Sequence, residues 1–192
     1  MKVLQFGEVI PGLEKNGRPI DIPVLNERTN RAAAGLMLAA AVVAFANAAL
    51  VGELLYLRIL VGVFTLEFLL RVLVNPNFAP FYALGKLIVR GQEPEYTGAP
   101  QKRFAWALGL MMAVSMSVIV YGFSITGALP FVICSTCIGL LWFESAFGIC
   151  IGCKMYGQLY TLGILENPPE ACPGNVCEIP APRGNQSQEP GV

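Results

Sequence analysis

The stretch AAAGLMLAAAVVAFANAALVGELLYLRILVGVFTLEFLLRVLV, Ala32 to Val74, decides the fold class of this chain. It holds two apolar runs, Ala32–Leu50 and Leu54–Val74, parted only by Val51-Gly52-Glu53. A helix rising about 1.5 Å per residue needs about 20 residues to cross a hydrocarbon core of roughly 30 Å, and each run supplies that length. Glycine at the break suits a sharp reversal, so the pair reads as a tight antiparallel hairpin. The same pattern recurs farther on, where Phe104–Ile125 and Leu129–Ile151 are parted only by Thr126-Gly127-Ala128. The expectation is an all-α membrane protein with four transmembrane helices, about 32–50, 54–74, 104–125 and 129–151, arranged as two hairpins.

Composition agrees with that class. Of 192 residues 55% are hydrophobic and 14% charged, with a mean hydropathy of +0.58, far more apolar than an ordinary soluble domain. Thirteen basic and thirteen acidic residues cancel, so no overall field argues for nucleic acid as a partner. The chain has no histidine. Ser-His-Asp and Cys-His machinery, bis-imidazole haem and histidine-containing zinc sites are thereby excluded.

Basic residues set the expected orientation, because cytoplasmic flanks collect Lys and Arg. They fall in the N-terminal segment (Lys2, Lys15, Arg18, Arg28, Arg31), in the 75–103 loop (Lys86, Arg90, Lys102, Arg103) and after the last run (Lys154, Arg183); the two hairpin turns have none. This predicts a multi-pass membrane protein with both termini in the cytoplasm. Arg58 alone breaks the pattern. Residues 1–30 then form a short, partly extended cytoplasmic segment, with Asn26 as a helix N-cap. Residues 31–157 form the membrane domain, and 158–192 a flexible cytoplasmic tail rich in Pro, Gly, Asn and Gln. Ala46-Asn47-Ala48 resembles a signal-peptide cleavage site, but the long, proline-containing segment ahead of it points to an uncleaved anchor. Within the loop, Asn75-Pro76 is a stop signal, and FAPFYALGKLIVR (Phe78–Arg90) mixes aromatic, small and basic residues as an interfacial helix does.

Charges inside a span cost about 2.5–3.5 kcal/mol each at its centre and mark a partner, a wet cavity or function. Glu67 and Arg71 share one helical face four residues apart and can pair. Glu144 has no partner on its own helix. By depth it should approach Glu67 and Arg71, giving a polar core in the inner half of the bundle.

The six cysteines fall in three pairs: Cys134 with Cys137, Cys150 with Cys153, and Cys172 with Cys177. Thiols at i and i+3 share a helical face. Cys134 and Cys137 are a secondary pair that packing alone explains, since cysteine suits apolar helices. Cys150 and Cys153 end the fourth run beside Lys154, whose charge would stabilise a thiolate, while the negative end of the helix would oppose it. About 20 Å of helix separates them from Cys137, so the four thiols of that run cannot share one metal. Cys150, Cys153, Cys172 and Cys177 together approach a four-thiolate zinc or iron–sulfur spacing.

Three segments carry a family resemblance: VLNERTNRAAAG (Val24–Gly35), LEFLLR (Leu66–Arg71) and ESAFGICIGCKMY (Glu144–Tyr156). Over Val24–Tyr156 the chain resembles the bacterial membrane family catalogued as domain of unknown function 4395. The resemblance implies a small integral membrane protein with a polar second helix and a C-x-G-C-K ending on the fourth span. It also implies an association with thioredoxin-like or sulfurtransferase proteins. Its candidate positions here are Glu67, Arg71, Glu144, Cys150, Cys153 and Lys154.

Residues and resemblance together give the expected function: a membrane protein linked to thiol or sulfur metabolism through a cytoplasmic-end CxxC. Cys150 and Cys153 would be the reacting thiols, Glu144 a proton partner, and Glu67, Arg71 and Lys154 the supporting polar core. Two other classes fit the same residues. One is a non-enzymatic anchor for a thioredoxin-like or sulfurtransferase partner; the other is a small transporter using Glu67 and Glu144.

Overall fold

A computed structural model describes residues 6–12, 14–15, 18–19, 22–123 and 127–163. The first long helix, α1 (Glu27–Ala46), begins where extended Asn26 accepts the Arg28 N–H on its side-chain oxygen at 3.0 Å, the N-cap expected of that asparagine. It continues through a wide π-turn, Asn47–Val51, and stops at Gly52, whose φ of 80° favours a residue without Cβ. α2 (Leu55–Leu69) also runs into a π-turn, Leu70–Val74. A 3-10 turn, Pro76–Phe78, leads to α3 (Pro80–Ile88), where the sequence predicts an amphipathic helix. α4 (Ala99–Ser117, continued by Val118–Gly122), α5 (Ala128–Phe147) and α6 (Ile151–Thr161) complete the helices among the described residues.

Two short antiparallel ribbons stand outside the helices. β1 (Glu14–Lys15) pairs with β2 (Arg18–Pro19), and β3 (Val24–Asn26) pairs with β4 (Tyr96–Gly98) in the register Val24 to Gly98, Leu25 to Thr97 and Asn26 to Tyr96. The Glu27 N–H extends the second ribbon by donating to the Glu95 carbonyl at 2.6 Å. Because β3 precedes α1 and β4 precedes α4, this ribbon holds the first turns of the two helices side by side.

Three helical runs are long and apolar enough to cross a membrane: Glu27–Val51, Ala99–Gly122 and Ala128–Phe147. Only 28%, 22% and 6% of their apolar windows is buried within the protein. Side chains such as Val43, Leu50, Met111, Val132 and Phe147 therefore cover the outside. The run Leu55–Val74 is long enough as well, but carries Arg58, Glu67 and Arg71.

α1 lies against α3 and α5, while α4 lies against α2 and α6. The approach of α3 to α1 is close: a Cβ on Gly85 would sit 2.8 Å from the Thr29 carbonyl oxygen. One apolar cluster joins Leu25, Ala79, Tyr82, Ala99 and Trp106, and another at the opposite end joins Ala48, Leu57, Val61, Met116 and Val120. α5 meets α4 at only a few points, so the space between α2, α4 and α5 is left partly open.

Two expected boundaries need correction. The third run begins at Ala99 rather than 104, because Gly98 and Pro100 start the helix five residues early. The fourth does not reach 151 as one helix. It stops at Phe147, and a separate helix starts at Ile151.

Candidate functional site

The break between α5 and α6 creates the site. Gly148 takes the left-handed conformation, φ 66°, and its N–H donates to the Glu144 carbonyl at 3.1 Å, while the Ile149 N–H donates to the Phe143 carbonyl at 3.1 Å. This glycine cap satisfies the last carbonyls of α5 and turns the chain. Cys150 then adopts an extended conformation and becomes the N-cap of α6, its sulfur accepting the Cys153 N–H at 3.4 Å. The CxxC therefore opens a helix, where the sequence placed it at the end of one. That reverses the field at the thiols, because a helix N-terminus carries positive partial charge and favours a thiolate.

The Cys153 thiol donates to the Cys150 sulfur, and the two sulfurs lie 2.7 Å apart. Both residues are buried, 4% and 5% exposed, and both thiols are free. The hydrogen bond from Cys153 holds the Cys150 thiol below the ordinary thiol range; the nearby Lys102 ammonium adds to this, against burial and the Glu144 carboxylate. Cys153 is driven the other way, first by donating that same hydrogen bond and then by burial. Cys150 ionises first and Cys153 keeps its proton. The glycine of the motif sets the distance to α4. A Cβ on Gly152 would stand 2.6 Å from the Ala105 Cβ and 2.8 Å from its Cα, so only glycine lets α6 dock this closely.

Lys102, in the first turn of α4, is 1% exposed and bonds two carboxylates, Glu27 Oε1 and Glu144 Oε1, each at 2.9 Å. Asn30 donates to the other oxygen of Glu27 at 3.2 Å. A buried ammonium is tolerated only when paired and hydrogen-bonded. The β3–β4 ribbon brings Glu27 and Lys102 together, and the antiparallel return of α5 brings Glu144. Sequence reasoning did not single out Glu27, and counted Lys102 only among the basic residues of the 75–103 loop. The signals were present in Asn26 as a cap and Gly98-Ala99-Pro100 as a helix start, which place both in first turns.

Glu67 and Arg71 form a second, separate network. Arg71 Nε and Nη2 both donate to Glu67 Oε1, the former at 2.8 Å, and the backbone N–H groups of Phe81 and Tyr82 donate to the Glu67 oxygens at 2.9 and 3.0 Å. Glu67 thus caps the N-terminus of α3. Arg71 also lies 5.2–5.9 Å from the ring centres of Phe68, Tyr82 and Trp106, which suits a buried guanidinium. Burial pushes the Tyr82 hydroxyl up to about 12, Arg71 opposing. The expected meeting of Glu144 with Glu67 and Arg71 does not occur: Glu144 bonds Lys102, while Glu67 pairs with Arg71 and the start of α3. Lys154 is exposed and belongs to neither network. Cys172 and Cys177 lie outside the described residues, so the four-thiolate site with Cys150 and Cys153 is outside them too; among the described residues no three metal-ligating side chains cluster.

A cavity of about 370 Å³ lies between α2, α4 and α5 and reaches α6. Leu57, Phe64 and Phe68 line one side, Trp106, Met112 and Met116 another. Cys150 and Glu144 sit on its wall at one end, and Cys134 and Cys137, both free, are on the α5 wall.

Compared with known families, residues 25–161 match a family model described as domain of unknown function (DUF4395). No curated protein and no solved structure matches.

Proposed function

The chain belongs to the DUF4395 family, and from that premise we propose that it is a bilayer-spanning dithiol–disulfide centre, with Cys150 as nucleophile and Cys153 as resolving thiol. The observation that carries this reading is Cys150 at the N-cap of α6, its sulfur 2.7 Å from that of Cys153. Lys102 beside the pair supports a thiolate, and a lowered pKa at a helix start is what a reactive CxxC requires.

The chemistry is ordinary exchange. The Cys150 thiolate attacks one sulfur of a partner's disulfide, forming a mixed disulfide and releasing the other sulfur as thiolate. Cys153 then loses its proton and attacks the Cys150 sulfur; the internal S–S bond forms and the partner leaves as its second thiolate. In the reverse direction a thiolate of the partner's dithiol attacks Cys150 in the internal disulfide, Cys153 leaves as thiolate, and the partner's second thiol closes the partner's own disulfide while Cys150 leaves. Glu144, which bonds Lys102 and whose charge acts on both thiols, can take the Cys153 proton. A soluble thioredoxin-like or sulfurtransferase protein is the partner class we propose.

Four crossings of a bacterial inner membrane, with both ends in the cytoplasm, complete the reading. Arg28, Arg31, Lys86, Arg90, Lys102, Arg103 and Lys154 belong to the helix ends and loops on the CxxC side, and Arg58 to the opposite end. That asymmetry supports a cytoplasmic CxxC. The exposed apolar bands of α1, α4 and α5 support hydrocarbon around them.

Differential alkylation and mass spectrometry of the purified protein, equilibrated in buffers from strongly reducing to strongly oxidising, test the centre. A reversible Cys150–Cys153 disulfide, and a mixed disulfide on Cys150 trapped in C153S, are expected. Thiols that stay free at every potential would refute it.

A further inference from the structure

We propose that the cavity between α2, α4 and α5 binds a lipid-soluble quinone, and that this quinone takes the electron pair of the Cys150–Cys153 dithiol. The inference rests on the redox reading above, run in the direction in which a partner's dithiol reduces the pair, and names the acceptor that reoxidises it. Its first support is access. The thiol pair is buried, yet Cys150 contributes to the cavity wall, so the cavity gives a small apolar molecule a route of its own to the pair.

The second support is where that route leads. Met111 and Met155 line the cavity and are also exposed, 63% and 43%. Met111 lies at the middle of the apolar run Ala99–Gly122. A solute arriving past Met111 would come from hydrocarbon, not water. The third is the chemistry of the wall. Phe64, Phe68, Trp106 and Met112 make a surface for a flat apolar ring, and Glu144 is a part-exposed carboxylate at the thiol end. A volume of about 370 Å³ lies within the range of small-molecule sites. An acyl chain would fill such a space but would use neither the carboxylate nor the sulfur.

The step balances. Two S–H bonds break and one S–S bond forms; the electron pair and two protons convert the two carbonyl oxygens of the quinone to hydroxyls. Glu144, on the wall and hydrogen-bonded to Lys102, is the positioning and proton-passing group.

The reduced protein in phosphatidylcholine vesicles is mixed with decylubiquinone, and disulfide and quinol are counted. One quinol per Cys150–Cys153 disulfide is expected, slowed about tenfold or more in Glu144→Gln. A second readout needs no redox step: in a Trp142→Phe background decylubiquinone should quench Trp106, and Ile138→Phe with Leu108→Phe, which fill the cavity, should weaken the quenching. Should a cavity variant fail to fold, the wild-type quenching and the Glu144→Gln rate still decide. If diamide closes the disulfide while decylubiquinone neither oxidises nor quenches, the quinone site is refuted and the dithiol centre stands. If a sulfonated, water-soluble quinone oxidises the pair as fast, access through the cavity is refuted. If no oxidant closes the disulfide, both readings fall; quenching without oxidation refutes the electron transfer.

Discussion

Cys150 and Cys153 differ by position rather than by kind. The first is the N-cap whose sulfur collects an N–H, an S–H and a nearby ammonium; the second is the donor of two of those three. With its pKa lowered, Cys150 holds more thiolate at a given pH than an ordinary cysteine, so in the wild-type protein its alkylation, followed at Cys150 by mass spectrometry, should rise at lower pH than that of a free thiol near 8.5, an approximate reference value. Part of the lowering comes from Lys102, because removing a neighbouring cation disfavours the anion. Lys102→Met should therefore move the alkylation midpoint upward, read by iodoacetamide rate against pH. The same change leaves Glu27 and Glu144 facing each other without a cation, a loss of roughly 3–5 kcal/mol for a broken buried pair. Neutralising Glu27 as well, in Lys102→Met with Glu27→Gln, should recover part of that stability but not the alkylation midpoint.

At the scale of elements, the site depends on how helices end and meet. α5 must stop at Gly148, and α6 must dock on α4 at Gly152. Gly152→Val puts atoms where Ala105 already stands. Displacing α6 should return Cys150 to ordinary thiol reactivity at a cost of about 1–3 kcal/mol, the usual range for overpacking, seen as a lower unfolding temperature in detergent. Gly148→Ala tests the cap instead: a non-glycine residue in left-handed conformation costs about 1–2 kcal/mol, and its Cβ would press on Arg31 at 3.2 Å. Glu67 belongs to this scale too, since it ties the end of α2 to the start of α3. Glu67→Gln leaves Arg71 buried without a counter-charge and should destabilise the protein by about 3–5 kcal/mol, while leaving the Cys150 alkylation profile in place. A changed profile in Glu67→Gln would show that the two networks are coupled.

For the whole molecule, the arrangement of helices fixes which end holds the thiols. α6 follows α5 on the same side as the starts of α1 and α4, so Lys154 and the β3–β4 ribbon should share one face of the membrane. In a Cys-free background, Lys154→Cys should be shielded from an impermeant maleimide in intact cells and labelled in inverted vesicles, and Glu53→Cys between α1 and α2 should behave oppositely. Equal labelling of both from one side would overturn the proposed orientation.

The apolar runs, the tight turn after α1, the Asn26 cap and the Glu67–Arg71 pair were all legible in the sequence, because each depends on residues a few positions apart. The CxxC was legible as a motif, but not as a helix start. Its run of apolar residues continues across Gly148, and hydropathy does not register a left-handed glycine. Glu27, Lys102 and Glu144 meet across separations of 75 and 42 residues, and only the β3–β4 ribbon and the packing of α4 bring them together. The sequence by itself determined the solvent this chain is suited to and the local pairs, since composition and short spacing set those. Tertiary structure decided which charge stands beside the thiols, because a Coulomb partner is chosen by distance in space and not along the chain.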